Sequence, residues 1–255
     1  MKNILEGKTI LVAGAGGIGN ALAIRYAAEG ANVIVGDLNQ ATAAEAVDQI
    51  VAAGGHAVAT TLDGASEASI AAAVELCLDQ YGALDGLHAN FACMTDGNPT
   101  ASILELPLDI YDETQRVNAR GFYLCTKAVL PIMIKRGSGS IIYTSSSGGN
   151  VGSPAYVAYS MSKAAGQALM RHVAVRFGSD GVRANTLAPA LTLHPRIEAM
   201  VPPEMIDIAR NTAAIKARVG RPNDLAAMGA LLLSDDGSYI TGQVISIDGG
   251  TTMRP

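Results

Sequence analysis

The stretch KTILVAGAGGIGNALAIRYAAEG, from Lys8 to Gly30, decides the fold of this 255-residue chain. Its first part, Lys8–Ala13, is a short apolar run and predicts a buried strand, and Gly17–Gly30 has the pattern of a helix. Between them stands a G-x-G-x-x-G sequence, whose glycines allow a tight turn and let the backbone approach a pyrophosphate at the positive end of the helix. A turn that holds no ligand is the alternative interpretation. The cofactor contacts predicted here are Gly14, Gly16, Gly17, Ile18 and Gly19.

The alternation of a short apolar run with a longer helical pattern continues along the chain. Further predicted strands are Asn32–Gly36, His56–Leu62, Leu84–Asn90, Ser140–Ser145, Val182–Leu187 and Gln243–Ile247. Further predicted helices are Gln40–Gly54, Ser66–Tyr81, about Leu108–Ile134, about Tyr156–Phe177 and Pro222–Leu233. Apolar strands that each precede an amphipathic helix are typical of a parallel sheet joined by right-handed crossovers. The sequence therefore predicts an α/β fold in one domain over residues 1–255, a doubly wound seven-stranded parallel sheet with helices on both faces.

Prolines punctuate the segment between Pro189 and about Arg221, where the apolar pattern becomes irregular. An irregular stretch of this length inside a domain is typical of a functional loop. We therefore expect a substrate loop or lid at about residues 190–220.

Composition excludes several classes of protein. Hydrophobic residues make up 49% of the chain and charged residues 16%, which excludes an intrinsically disordered protein. The formal net charge of −5 and the lack of a basic run argue against nucleic-acid binding. No run of about 18 uncharged apolar residues is present and the first residues lack a signal-peptide pattern, so we expect a cytoplasmic protein without a membrane span. Cys77, Cys93 and Cys125 are spaced neither as a disulfide framework nor as metal ligands, and no metal is predicted.

An acidic residue follows the second predicted strand, in the pair Gly36-Asp37. Asp37 lies close to the separation of about 20 residues from the glycine turn at which a carboxylate holds the adenosine ribose hydroxyls. Because a carboxylate there would repel the extra phosphate of NADP, we expect NAD as the cofactor. A helix N-cap near Asn39 is a second reading of this polar cluster and is compatible with the first.

The most informative motif is Tyr159-Ser160-Met161-Ser162-Lys163. Residues four apart share one face of a helix, so Tyr159 and Lys163 can converge on one ligand. A tyrosine that acts as a general base needs a nearby cation, which Lys163 supplies. Tyr156 does not fit this role, because the residue four further on is Ser160. The preceding strand ends in a serine-rich run, Thr144–Gly149, at the sheet edge where open α/β sheets bind ligands, and a serine there can stabilise charge on a substrate oxygen.

These motifs resemble the short-chain dehydrogenase/reductases, a family of single-domain Rossmann-fold enzymes of about this size, over nearly the whole chain. The resemblance implies the catalytic residues Ser146, Tyr159, Lys163 and Asn118. Asn118 matches the family's Val-Asn pair on the long helix, and residues 220–250 are similar to the family's C-terminal motif. The further cofactor contacts that the resemblance implies are Asp63, Gly64, Asn90, Pro189 and Thr192, besides Tyr159 and Lys163.

The chain departs from the family pattern in the glycine turn and around it. Ala13 replaces a threonine, and one residue is missing between Gly14 and Gly17, so we expect altered turn geometry with phosphate binding kept by backbone donors. The family's Asn-Asn-Ala-Gly becomes Ala89-Asn90-Phe91-Ala92, and Pro-Gly after the sixth strand becomes Pro189-Ala190. His194 stands where a threonine that holds the nicotinamide amide is common.

The resemblance implies reversible oxidation of a secondary alcohol to a ketone, with hydride transfer to NAD. Tyr159 would act as general acid and base, Ser146 would bond the reacting oxygen, Lys163 would lower the pKa of Tyr159 and hold a ribose, and Asn118 would position a proton-relay water. One alternative is a 3-oxoacyl thioester reductase of the acyl-carrier-protein type that uses NADPH, against which Asp37 argues. Others are an NAD-dependent epimerase or dehydratase, and a cofactor-binding regulator that has lost catalysis.

The segments that we expect to line the substrate pocket carry apolar side chains and few charges. They are Cys93–Thr100, Gly148–Ser153 and His194–Asn211. This composition favours an uncharged, moderately apolar alcohol or ketone, such as a steroid, a cyclic alcohol or an aryl ketone, with sugars and dihydrodiols as alternatives. The family resemblance also implies a homotetramer, and the apolar stretches Leu124–Ile134 and Ala164–Val175 fit such an interface and core packing equally.

Overall fold

Strands and helices alternate along the computed structural model, which describes residues 3–94 and 100–253. The strands are β1 (Thr9–Ala13), β2 (Asn32–Asp37), β3 (His56–Thr61), β4 (Gly86–Ala89), β5 (Gly139–Thr144), β6 (Val182–Pro189) and β7 (Val244–Ile247). The helices are α1 (Gly16–Ala28), α2 (Gln40–Ala52), α3 (Glu67–Tyr81), α4 (Leu108–Thr114), α5 (Arg120–Arg136), α6 (Val157–Phe177), α7 (Pro195–Glu198), α8 (Pro203–Thr212) and α9 (Pro222–Leu233). The predicted strands are confirmed, with ends that differ by one to a few residues.

The sheet has seven strands in the order β3-β2-β1-β4-β5-β6-β7, and every pairing is parallel. The order reverses between β1 and β4, so the loops that follow these two strands run to opposite sides and leave a crevice at the carboxyl edge. The glycine turn follows β1, and Asn90 follows β4. The fold thereby brings the predicted phosphate-binding turn to the switch point of the sheet.

Helices cover both faces of the sheet, as predicted. On one face α1 and α2 lie over β1, β2 and β3 and α9 lies over β5 and β6, and together they bury apolar side chains such as Leu22, Ile50 and Leu225. On the other face α3, α5 and α6 pack side chains such as Ile70, Phe122 and Met170. Because every strand between the edges is buried on both sides, its residues are apolar without alternation.

Two predicted segments differ from the structure. The long helix predicted over about 108–134 is α4 and α5 joined by a π-helical turn at Gln115–Ala119, a feature that an apolar pattern does not reveal. The segment between Pro189 and Arg221, predicted to be irregular, contains α7 and α8, each with proline in its first turn, where the missing amide costs nothing. Within residues 3–94 and 100–253, no helix combines the length and apolar composition that a membrane span needs.

Candidate active site

The structure brings Ser146, Tyr159 and Lys163 together at the carboxyl edge of β5. Ser146 is the second residue after the strand, and its hydroxyl accepts from the Gly148 amide at 3.2 Å. Helix α6 begins after Tyr156, whose left-handed backbone (φ 57°) turns the chain into the helix. Tyr159 and Lys163 then lie on the helix face that packs against the strand end. The family assignment of these residues therefore corresponds to a cluster in space.

The Tyr159 side chain is half-buried, with Ser146 and Lys163 as its neighbours. Burial raises its pKa to about 12, and a hydrogen bond with Ser146 acts in the opposite direction. The Lys163 ammonium lies 5.4 Å from the centre of the Tyr159 ring. A charged lysine close to this ring favours the phenolate form of the tyrosine.

Lys163 is itself buried, with 1% of its surface exposed. Its ammonium donates to the Thr144 carbonyl at 2.8 Å and lies 4.9 Å from the centre of the Phe122 ring. Burial lowers the pKa of Lys163 to about 7. The carbonyl and the ring face stabilise the cation without neutralising it, so below about pH 7 the charge of Lys163 is available to a neighbouring phenolate or phosphate.

Asn118 is buried in the π-helical turn, and its amide is held by structural bonds. Its oxygen accepts from the Cys93 amide at 2.6 Å, and its nitrogen donates to the Cys93 carbonyl and to the Ser162 hydroxyl, each at 3.0 Å. Ser162 in turn donates to the Tyr159 carbonyl at 2.7 Å. The side chain of Asn118 thus ties the segment after β4 to the catalytic turn of α6.

The shortened glycine turn is held by two polar contacts across the switch point. The Ala15 amide donates to the Asp37 carboxylate at 2.9 Å, and the Asn90 amide donates to the Gly14 carbonyl at 3.0 Å. Gly14 and Gly16 have positive φ angles of 100° and 69°, which glycine adopts without steric cost. Asp37 also accepts from the Asn39 amide at 2.9 Å, so the carboxylate caps the start of the next segment while facing the turn.

Gly64 has a structural role that the sequence did not reveal. A Cβ on Gly64 would lie 2.8 Å from the Phe91 ring, and one on Gly121 would lie 2.7 Å from the same ring. Two glycines therefore make room for a phenylalanine that stands where the family has alanine. Asp63 accepts from the Ala65 amide at 2.8 Å and so closes the turn after β3.

The segment after β6 reaches back to the glycine turn through His194. A Cβ on Gly17 would lie 2.2 Å from the His194 ring, so the imidazole rests directly on the first turn of α1. Burial, with Arg196 nearby, lowers the pKa of His194. Thr192 is buried and donates to the Ala190 carbonyl at 3.1 Å, and Pro189 ends β6.

A cleft of about 1100 Å³ opens beside this contact, between α1 and the segments around His194 and Arg221. Its lining includes Gly16, Gly17 and Asn20 of α1 and His194 and Arg196 of the segment after β6. The Asn20 side-chain oxygen, in α1 beside the cleft, is buried without a hydrogen-bond partner among the described residues. The amides at the start of α1 and the Asp37 carboxylate, which accepts from Ala15 in the glycine turn, are groups that a dinucleotide requires, and these residues fit one.

Sequence reasoning missed the side chains behind the turn. Phe91 was noted as a departure, but its packing against two glycines was not foreseen. The sequence patterns assign no role to His88, which lies in the middle of an apolar strand, or to Tyr26, which lies on the buried face of α1. A histidine inside a run predicted to be buried on both faces is the signal that marks such a position. Of the predicted pocket segment Cys93–Thr100, residues 95–99 lie outside the described part of the chain.

An α/β fold with a glycine turn at its switch point and a Ser–Tyr–Lys cluster defines a nucleotide-dependent oxidoreductase. A family model described as enoyl-(acyl carrier protein) reductase matches residues 12–252. The chain belongs to the short-chain dehydrogenase/reductase family.

Similar proteins span this chain almost completely. A protein of Bradyrhizobium diazoefficiens named "probable short-chain type dehydrogenase/reductase" is 41% identical over 96% of this chain and 87% of its own length. A 2,5-dichloro-2,5-cyclohexadiene-1,4-diol dehydrogenase of Sphingobium indicum is 37% identical over 97% of this chain and 98% of its own. A solved structure of 7α-hydroxysteroid dehydrogenase with NADH and 7-oxo glycochenodeoxycholic acid superposes with a TM-score of 0.90 at 30% identity, covering 98% of this chain and 96% of that one.

Proposed function

We propose that this protein interconverts a secondary alcohol and a ketone by hydride transfer with NAD(H). The observation that carries the proposal is the convergence of Ser146, which lowers the pKa of Tyr159, and the buried Lys163, whose ammonium lies 5.4 Å from the centre of the Tyr159 ring. Ser146 and Tyr159 present a proton donor and acceptor to one substrate oxygen, which is what the interconversion of hydroxyl and carbonyl requires.

The residues divide the chemistry as follows. A bound nicotinamide supplies the hydride acceptor or donor. Tyr159 removes the hydroxyl proton in oxidation and returns it in reduction, while Ser146 donates to the oxygen as its charge develops. Lys163 stabilises the Tyr159 phenolate and is placed to hold a ribose. Asn118 holds α6 in place through Ser162, and its contribution to a proton-relay water stays a prediction.

The cofactor proposed is NAD, because the Asp37 carboxylate faces the glycine turn and would repel a phosphate on the adenosine ribose. The similar hydroxysteroid dehydrogenase structure holds NADH. Asp63, Gly64, Asn90, Pro189 and Thr192 remain proposed contacts around the same groove.

Replacing Asp37 by asparagine tests this choice. Asp37→Asn keeps an oxygen for the Ala15 amide and removes the charge, so the preference for NADH over NADPH should fall by roughly tenfold or more. The matched control is Asp48→Asn, which removes the same charge from the exposed side of α2. An unchanged preference in Asp37→Asn would show that the carboxylate does not select the cofactor.

The proposed substrate is an uncharged, moderately apolar cyclic alcohol or ketone. Two similar proteins carry the names of ring-alcohol dehydrogenases, one for a chlorinated cyclohexadienediol and one for a steroid. Met205 and Ile206, in the helix-containing lid at about 190–220, are apolar residues of the predicted pocket. A panel of cyclic secondary alcohols with NAD, followed by the absorbance of reduced nicotinamide, tests this proposal, and turnover of none of them would contradict it.

A second candidate is reduction of a 3-oxoacyl thioester with NADPH; the description of the matching family model, enoyl-(acyl carrier protein) reductase, names the same kind of acyl carrier but the reduction of a carbon–carbon double bond. Comparing a 3-oxoacyl thioester and a cyclic ketone as substrates, each with NADH and with NADPH, separates the two candidates. An NAD-dependent epimerase or dehydratase would bind the cofactor and show no net cofactor turnover.

Assembly and location belong to the same proposal. Exposed apolar side chains on α5 and α6, Tyr123, Met161 and Val175, support a homotetramer built on these helices. A cytoplasmic location agrees with a cofactor of central metabolism.

A further inference from the structure

A chain of hydrogen bonds runs through the buried interior behind the glycine turn. It links Tyr26 Oη to His88 Nδ1 at 2.6 Å, His88 Nε2 to Thr144 Oγ1 at 2.9 Å, Thr144 Oγ1 to Asn90 Oδ1 at 2.9 Å, and Asn90 Nδ2 to Gly14 O at 3.0 Å. Tyr26 and His88 are completely buried, and Thr144 is 5% exposed. The proposed proton transfer at Tyr159 does not use any of these four side chains.

The direction of donation along this series of hydrogen bonds follows from its last acceptor. The Gly14 carbonyl can only accept, so the Asn90 nitrogen faces it and the Asn90 oxygen faces Thr144. The Asn90 amide oxygen can also only accept, so the Thr144 hydroxyl donates its single proton to it. The Thr144 oxygen must then accept from its other neighbour, His88.

The same reasoning fixes the histidine tautomer. His88 Nε2 carries the proton that Thr144 accepts. Burial lowers the pKa of His88 to about 3, so the ring is neutral and its Nδ1 is left to accept from the Tyr26 hydroxyl. Every donor in the chain therefore points from Tyr26 towards the glycine turn.

The series of hydrogen bonds ends on a peptide group that faces the proposed cofactor site. The Gly14 carbonyl and the Ala15 amide belong to one peptide unit, and the amide side of that unit donates to the Asp37 carboxylate at 2.9 Å. Asn90 and Asp37 thus hold this peptide from opposite sides. Thr144 connects the chain to the catalytic cluster as well, since its carbonyl accepts from Lys163 at 2.8 Å.

We propose that His88 is a positioning residue for the dinucleotide, and that through Thr144 and Asn90 it sets the Gly14–Ala15 peptide and the Asp37 carboxylate in the orientation that the cofactor meets. This inference rests on the proposed function, because it assumes a dinucleotide at the turn. In this shortened glycine turn, the side chain of His88 in β4 orients the Gly14–Ala15 peptide, a task that the missing residue cannot perform.

The tautomer is tested first, on the parent protein. Long-range proton–nitrogen correlation spectra of ¹⁵N-histidine-labelled protein at about neutral pH should show His88 protonated on Nε2, with the signals assigned by their loss in His88→Gln. Protonation on Nδ1 would reverse the chain and overturn the proposal without any binding measurement.

Two amide variants then test the effect on cofactor binding. Glutamine places a donor near the position of Nε2 and keeps the bond to Thr144, whereas asparagine reaches only the position of Nδ1 and keeps the bond to Tyr26. NADH titrations followed by its fluorescence are free of tryptophan emission, because the chain has no tryptophan. We expect His88→Gln to bind NADH within about threefold of the parent and His88→Asn to bind on the order of tenfold more weakly.

The outcomes separate this inference from the function on which it rests. If the parent binds neither NADH nor NADPH, the proposed function fails and the inference falls with it. If the parent binds NADH and His88→Asn binds it equally well, only the inference fails. Equal weakening in both variants, in parallel with their loss of thermal stability, marks a merely structural histidine and also overturns it.

Discussion

The catalytic cluster and the glycine turn lie at the same edge of the sheet but are built differently. Ser146, Tyr159 and Lys163 come from one strand end and one helix, and Lys163 is bonded to the carbonyl of the strand's own last residue. The glycine turn is held by Asp37, the last residue of β2, and by Asn90, which follows β4, and His194 from the segment after β6 rests on it. A site within one β–helix unit tolerates little change, whereas a turn held from several loops can lose a residue and be supported by distant groups.

Removing the Tyr159 hydroxyl has the largest expected effect, because it takes away the proposed general acid and base from the Ser146, Tyr159 and Lys163 cluster. Tyr159→Phe should lower turnover by about 10²–10⁴-fold, since the general acid and base is lost while the ring keeps its packing. Tyr156→Phe is the matched control, as its ring lies 6.5 Å from that of Tyr159 and it lacks a lysine four residues on. Steady-state rates with a cyclic alcohol and NAD measure both, and near-parental turnover by Tyr159→Phe would refute the assignment.

The buried charge of Lys163 predicts a pH dependence of stability. Its pKa is about 7 in the folded protein and about 10.4 in the unfolded chain. Between these values the unfolded chain binds more protons, so the free energy of unfolding should rise with pH by up to ~1.4 kcal/mol per unit. Lys163→Met should lack this rise between about pH 7 and about pH 9.

Urea unfolding over that range measures the slope, and a second lysine provides the control. Lys127 is exposed and paired with Glu67 at 2.8 Å, and its pKa is raised, so Lys127→Met should keep the parental slope. Parallel curves for the parent and Lys163→Met would contradict a lysine that loses its proton in this range.

The contact between Gly17 and His194 predicts the smallest effect, and it tests how loosely the turn is held. In the parent, Gly17→Ala should destabilise by roughly 1 kcal/mol, because its Cβ meets the imidazole. With His194→Ala already present, the same change should be neutral or stabilising by up to ~1 kcal/mol, since alanine favours a helix. A double-mutant cycle of unfolding free energies measures the coupling, and a value near zero would place His194 elsewhere.

Sequence patterns predicted most of the fold and only part of the site. The seven strands and the helices between them follow from local apolar periodicity, and the Tyr159–Lys163 pair follows from helical spacing. The π turn around Asn118 was not predictable, because a turn with one extra residue leaves the apolar pattern of the helix almost unchanged. The sequence did not predict helices α7 and α8, because prolines usually indicate an irregular segment. Each of these helices has its proline in the first turn, where proline is compatible with a helix.

The sequence by itself determined the parallel α/β sheet and the family, and it predicted Ser146, Tyr159 and Lys163 as the catalytic residues, because each rests on patterns and spacings along the chain. Only the tertiary structure decided what stands behind and above the glycine turn. His88, Thr144 and Asn90 meet because β4 and β5 are adjacent strands, and His194 reaches Gly17 because the segment after β6 folds back over α1. The physical reason is that hydrogen bonds and close packing between distant segments depend on how the strands are ordered, which periodicity along the chain does not encode.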